Sequence, residues 1–281
     1  MKVKYIIFTI LATFMMVACD VIPESDRIGQ GPERIVSLRK VLLLDFTGQK
    51  CPNCPDAAAI ISDLLGAYPR NIVAVGMYPD GHGLALPGAL PTSLSTKEAM
   101  EFLAFYDAPI DNTISNENLP CGVINGKKFD GQYIQQKESW TSLVTAERVI
   151  EPECLIDLAY VPGPTHKVEV TLTPQYDSIQ VALPYDVSLQ LWLIESGIKS
   201  TQSFADGAKP DYEHNHAFRK CLNPLWGDEL GKIAEVTKKE YTFDVDAKFV
   251  VDNCAVVAVL INTETKEVVQ VGEVALGKAT H

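Results

Sequence analysis

The chain has 281 residues, 47% of them hydrophobic and 21% charged, a balance that excludes a disordered chain and leaves length for two hydrophobic cores. A formal net charge of -12 argues against nucleic acid and anionic lipid as partners. Seven cysteines, if the protein is exported, imply an oxidising setting.

The N-terminus supports export. Lys2 and Lys4 precede an apolar run from Tyr5 to Val17, and the run ends in Met16-Val17-Ala18-Cys19, which resembles a bacterial lipobox. The run is short of the ~20 residues that span a bilayer. Residues 1–18 therefore read as a lipoprotein signal peptide, against an ordinary signal peptide cut near Ala18 or a short anchor. Cys19 becomes the lipidated first residue of the mature chain, which makes the membrane a partner through that lipid. Residues 19–35, rich in polar residues and ending near Glu33, read as a tether.

The apolar stretch Val41 to Phe46 reads as a buried strand, interrupted by Asp45, and runs into Lys50-Cys51-Pro52-Asn53-Cys54-Pro55 at the start of a helix. Thiol chemistry is favoured there. A helix N-terminus stabilises a thiolate, and Lys50 adds positive charge beside Cys51. Cys51 is the expected nucleophile, the more exposed and more ionised of the pair, and Cys54 the resolving thiol. A carboxyl buried at Asp45 has a raised pKa and is suited to passing a proton to and from Cys54.

Asn71 to Tyr78 is a second buried strand, and the loop from Pro79 to Ser95 leaves it at the end where the thiols lie, so His82 is expected to border them. A solvated histidine on a flexible loop is the preferred reading of His82, over a substrate lip beside the thiols. Thr96 to Tyr106 reads as a helix. Leu119-Pro120-Cys121 precedes a strand that ends in Asn125-Gly126, where a cis-proline and a hairpin turn are expected. Leu119 and Cys121, with Lys50 and His82, are the expected walls of a substrate groove shaped by Pro120. An aspartate at this offset from a Cys-x-x-Cys helix, followed by the proline and the hairpin, resembles thioredoxin. That resemblance implies a thioredoxin-like α/β domain over residues 36–150, with Lys137 to Val149 its last helix.

After Glu151-Pro152-Glu153 the pattern changes to alternating β-rich runs: Cys154 to Tyr160, Lys167 to Thr173, Val187 to Glu195, Tyr241 to Asp246, Cys254 to Asn262 and Glu267 to Leu276. Such strands between Pro, Gly and Asp turns suggest a sandwich over residues 151–281. Lys199 to Asp211 reads as a polar loop, and Cys154 points into the core. Cys121, Cys154, Cys221 and Cys254 have three possible pairings, with a free buried thiol at Cys154 equally compatible with the pattern. His214 and His216 alternate onto one face of a strand, but no third ligand accompanies them, so hydrogen bonding with Arg219 is preferred to a metal. A zinc site at Cys51, Cys54 and Cys121 is likewise less natural than a dithiol. No metal and no cofactor is expected.

The lipobox, Asp45-Phe46-Thr47-Gly48 with Cys51, Asn53, Cys54 and Pro55, the stretch Tyr212 to Leu222 followed by Trp226-Gly227-Asp228, and the closing Val256 to Val271 together resemble the outer-membrane-protein-28 lipoproteins of Bacteroidota. The resemblance implies an outer-membrane lipoprotein with a thioredoxin-like domain followed by an immunoglobulin-like β-sandwich. It brings no established activity. Two functions are compatible with the residues. One is thiol-disulfide exchange with protein thiols. The other is a non-catalytic lipoprotein that binds host or envelope ligands and keeps Cys51–Cys54 as a structural disulfide, a reading helped by the absence of a tryptophan before Cys51.

Overall fold

The protein was analysed as a computed structural model, which describes residues 39–107, 119–175 and 182–277. The expected signal peptide, Cys19 and the tether lie outside the described residues. In chain order the elements are β1 (Val41–Phe46), α1 (Cys54–Ala67), β2 (Ile72–Met77), α2 (Lys97–Asp107), β3 (Cys121–Ile124), α3 (Lys137–Glu147), β4 (Cys154–Val161), β5 (His166–Pro174), β6 (Val187–Glu195), β7 (Ile198–Phe204), β8 (Gly207–His214), β9 (Ala217–Cys221), β10 (Asp228–Gly231), β11 (Thr237–Phe243), β12 (Cys254–Asn262) and β13 (Val268–Ala275). None of the described helices is long and apolar enough to cross a membrane.

The strands with the longest apolar runs hold the centre. β1, β2, β6 and nearly all of β12 are buried on both faces, as continuous Val, Leu and Ile runs require. They belong to one eight-stranded mixed sheet in the order β13-β12-β6-β9-β2-β1-β3, with β10 added against β6. Period-two alternation sorts their side chains onto the two faces. Leu42, Leu44 and Phe46 of β1, Val73, Val75 and Met77 of β2, Trp192 and Ile194 of β6, and Val257, Val259 and Ile261 of β12 share one core with Phe102 and Leu103 of α2.

The opposite face has two covers. Over β1 to β3 lie α1 and α3, which bury Ala57, Ile61, Leu64, Trp140 and Val144 against Val41, Leu43 and Ala74. Over β6 and β12 lies a second sheet, β11-β5-β4, whose Val168, Val170 and Leu172 meet Leu189, Leu191, Leu193, Val256 and Leu260. Cys154 is in that core, as its alternation with Ile156 indicated.

This architecture overturns the expected fold class. The chain is mostly β, with three helices among the described residues, and it is not a thioredoxin-like α/β domain followed by an immunoglobulin-like sandwich. Strands from both halves of the sequence are one sheet, joined where β2 meets β9 in parallel at Gly76 and Ala217, with the Gly76 amide donating to the His216 carbonyl at 2.8 Å. The physical reason is the shared core: Trp192 and Phe218 stack edge-on with Phe102, so strands far apart in sequence bury their apolar face against the same helix. Local periodicity identifies strands and leaves such long-range pairing open.

A second correction concerns residues 199–211. They are not a loop: β7 and β8 form a hairpin paired from Ile198–His214 to Phe204–Gly207. Its inward residues, Ser200 and Gln202, are buried but polar, because they face backbone groups around the cysteines and not an apolar core. Without apolar alternation the strand signal is missing.

Candidate functional site at the cysteine pair

Cys51 and Cys54 form a disulfide with Cα atoms 5.5 Å apart. β1 delivers the chain at its C-terminal end, where the Cys51 amide donates to the Gly48 carbonyl at 3.0 Å, and α1 then begins at Cys54 with Pro55 in its first turn, where a missing amide hydrogen costs little. Lys50 is exposed. Cys121, Cys154, Cys221 and Cys254 are free thiols, and Cys121 is fully buried at the start of β3, opposite Phe46, where burial pushes its thiol far up. The Leu119–Pro120 peptide is cis, as the sequence indicated, and Asn125 and Gly126 both take positive φ (51° and 57°) in the turn that follows. The turn is closed by the Lys127 amide on Ile124, and the returning chain meets β3 at Gly122 and Gln135.

The expected difference in exposure between the two cysteines is absent. Cys51 is 0% exposed and Cys54 2%. Two segments cover the pair. From one side, the loop after β2 packs on Gly48, where an added Cβ would lie 2.4 Å from the Leu84 carbonyl oxygen; that oxygen accepts from the Lys50 amide at 2.9 Å. His82 belongs to this loop and is buried, not solvated, with its Nδ1 accepting from the Leu84 amide. From the other side comes the β7–β8 hairpin. Gln202 Nε2 donates to the Cys51 carbonyl at 2.8 Å and to the Gly48 carbonyl at 3.2 Å, while the Ser203 amide donates to the Gln49 carbonyl. Gln49, itself buried, ties loop and hairpin together: its Nε2 donates to Ser200 Oγ and the Thr92 carbonyl, and its Oε1 accepts from the Leu94 amide.

Asp45, on β1, is 4% exposed, with Oδ1 buried and without a hydrogen-bond partner. Burial alone pushes its carboxyl up to about 8. Its cross-strand neighbours are both glycines, Gly76 on β2 and Gly122 on β3. The space above Gly122 is filled by the Trp140 indole, which an added Cβ would meet at 2.5 Å. The space above Gly76 is looser, since an added Cβ would meet the Tyr78 ring only at 3.4 Å. It is part of a cleft of about 430 Å³ that runs from Asp45, Thr47, Ala74 and Cys54 past Pro55, Ala58 and Ala59 of α1 to Phe204, Tyr212 and His214 of the hairpin.

The two histidines do not share a strand face. His214 ends β8, buried, with Nδ1 3.0 Å from the Tyr78 hydroxyl; burial pushes it down to about 4, against the Thr201 and Ser200 carbonyls that face the ring. His216 follows in the turn to β9 at φ 55°. Arg219, expected beside them, instead pairs with Glu195 at 3.3 Å and stacks on Phe249. Among the described residues no three His, Cys, Asp or Glu side chains come together as a metal site. Gln49, Gln202, Tyr78 and Tyr212 were missed in the sequence. Gln202 is 151 positions from Cys51, and only a buried glutamine next to the cysteines, Gln49, offered any local signal.

Two solved structures share the fold. HBP35 of Porphyromonas gingivalis superposes with a TM-score of 0.64 at 15% identity, covering 87% of this chain and 78% of that one. A protein of Agrobacterium tumefaciens superposes with a TM-score of 0.55 at 14% identity, covering 86% and 97%. A domain of the outer membrane lipoprotein Omp28 from Porphyromonas gingivalis aligns at 20% identity over 45% of this chain and 89% of that one, with a TM-score of 0.31. No curated protein sequence matches. The family model "Outer membrane protein Omp28" matches residues 109–280, more than half of the chain, in agreement with the resemblance and the outer-membrane location read from the sequence. The chain belongs to the Omp28 family of outer membrane proteins.

Proposed function

We propose that the protein is an outer-membrane lipoprotein, anchored through Cys19, that carries out thiol-disulfide exchange at Cys51 and Cys54. The observation that carries the reading is Asp45: a buried carboxyl with an unpartnered oxygen, lining the same cleft as Cys54 and pushed up to about 8. A structural disulfide gains nothing from such a group, which costs desolvation without a compensating bond. A resolving thiol does gain. A substrate thiolate attacks the Cys51 sulfur, the Cys51–Cys54 bond breaks, and Cys54 leaves as a thiolate that takes the Asp45 proton. The second substrate thiol then attacks the mixed disulfide, releasing Cys51 and a substrate disulfide. In the opposite direction Asp45 accepts the Cys54 proton as Cys54 displaces a reduced substrate from Cys51.

The full burial of Cys51 favours a second reading, in which the disulfide only fixes the β1–α1 corner of a ligand-binding lipoprotein. A Cys54→Ala variant separates the two. Exchange leaves Cys51 in long-lived mixed disulfides with protein thiols of the envelope, recovered on non-reducing gels and lost in Cys51→Ala/Cys54→Ala. Recovery of no such adduct would select the structural reading.

A further inference from the structure

The cleft above Asp45 has features that proton transfer to Cys54 does not require. Its floor is lined by Gly76, which has no side chain, and Ala74, which has a small one. One wall is the small-residue side of α1, with Pro55, Ala58 and Ala59; the other is aromatic, with Phe204 and Tyr212 in edge contact at 5.6 Å and Tyr212 on His214 at 4.8 Å. A cleft between small residues and aromatic rings suits an aromatic body. The volume of about 430 Å³ falls within the range of small-molecule sites, roughly 300–1,000 Å³. The cleft is reached from solvent, since Ala59 and Ser62 at its mouth are exposed while Asp45 and His214 at its floor are buried.

We propose that this cleft binds a small, uncharged hydroxyaromatic group, whose ring lies between α1 and the β7–β8 hairpin and whose hydroxyl meets Asp45. Asp45 Oδ1 has no hydrogen-bond partner, and a phenolic hydroxyl, which both donates and accepts, supplies one whichever carboxyl oxygen carries the proton. Burial holds Asp45 protonated and His214 neutral at pH 7, so a charged ligand would find no counter-ion at the floor. The same chemistry comes from a free phenol or from a tyrosine side chain of a peptide. This goes beyond the exchange reading, and occupancy is readable in the disulfide form without turnover.

The test is a titration of the full-length oxidised protein with p-cresol, N-acetyl-tyrosinamide and toluene, followed by amide chemical shifts around Ala58, Gly76 and Phe204. The expected result is saturable binding of p-cresol at least about tenfold tighter than toluene, because the hydroxyl satisfies a buried polar group. Binding of N-acetyl-tyrosinamide as well assigns the group to peptides, and binding of p-cresol alone assigns it to free phenols. Ala59→Trp, at an exposed helix position on the mouth, abolishes binding without disturbing the core, and Asp45→Asn narrows the preference over toluene. No saturable shift with either hydroxyaromatic probe, equal binding of toluene, or unchanged binding in a folded Ala59→Trp variant would overturn the proposal.

Discussion

Replacement of Asp45 by asparagine removes one titration and leaves the side-chain shape, so its effect on stability depends on pH in a way that can be worked out. In the unfolded chain the carboxyl loses its proton near 3.8; in the folded protein it holds it up to about 8. Between those values the folded state binds one proton more than the unfolded state, and stability falls as pH rises, by ~1.4 kcal/mol per unit. Over the whole window this amounts to roughly 6 kcal/mol, lost progressively and fully gone above pH 8. His214 acts in the opposite direction over a narrower range, since burial lowers it from 6.5 to about 4 and stability gained from its neutral form rises with pH there. These two contributions therefore largely offset each other between about 4 and 6.5, and that of Asp45 stands alone between 6.5 and 8. The His214 contribution cancels in the difference between variant and wild type. Urea denaturation of both proteins from pH 4 to pH 9, with m-values checked for constancy, should show Asp45→Asn gaining on wild type up to about pH 8 and levelling off above it. A difference that stays constant within about 0.5 kcal/mol across this range would refute the account of Asp45 as a buried, unpaired acid.

Gln202→Ala removes the side-chain donor that holds the hairpin on the Cys51 and Gly48 carbonyls, about 2 kcal/mol for two hydrogen bonds, so reduction of the disulfide by dithiothreitol should accelerate roughly 30-fold by mass-spectrometric time course. Glu147, 3% exposed, bonds Asn125 and pairs with Arg39 at 3.2 Å and Lys127 at 2.8 Å, while Arg39 also reaches the Val268 carbonyl. Glu147→Ala strands a partly buried arginine and should cost about 3–5 kcal/mol, seen as a lower urea midpoint at unchanged m. Cys19→Ala should move the protein from the membrane to the soluble fraction of lysed cells, and equal retention of variant and wild type would contradict the lipid anchor.

What the sequence disclosed follows the range of the interactions concerned. The β1 strand, the Cys-x-x-Cys helix start, the cis Leu119–Pro120 peptide and the inward Cys154 all depend on neighbours within a few positions, and each was legible. The burial of Asp45 was legible for the same reason, an acid flanked by Leu43, Leu44 and Phe46 on a strand buried throughout. The sheet that joins the two halves was not, because a single parallel bridge at Gly76 and Ala217 carries no local signature. Nor was the cover over Cys51. Thr201 to Ser203 is polar, and its strand is held by Gln202 and Ser203 on the Gln49–Cys51 backbone, contacts that hydrophobic periodicity does not register. For that reason Cys51 was expected at the surface and His82 in solvent, and both are buried.

The reduction potential of the Cys51–Cys54 pair tests the central claim most directly. Equilibration of the purified protein with glutathione or dithiothreitol buffers, quantified by thiol alkylation, should give a potential among those of exchange proteins, about -120 to -270 mV. A value well below about -300 mV would mark a bond made to persist, and would contradict exchange at this site.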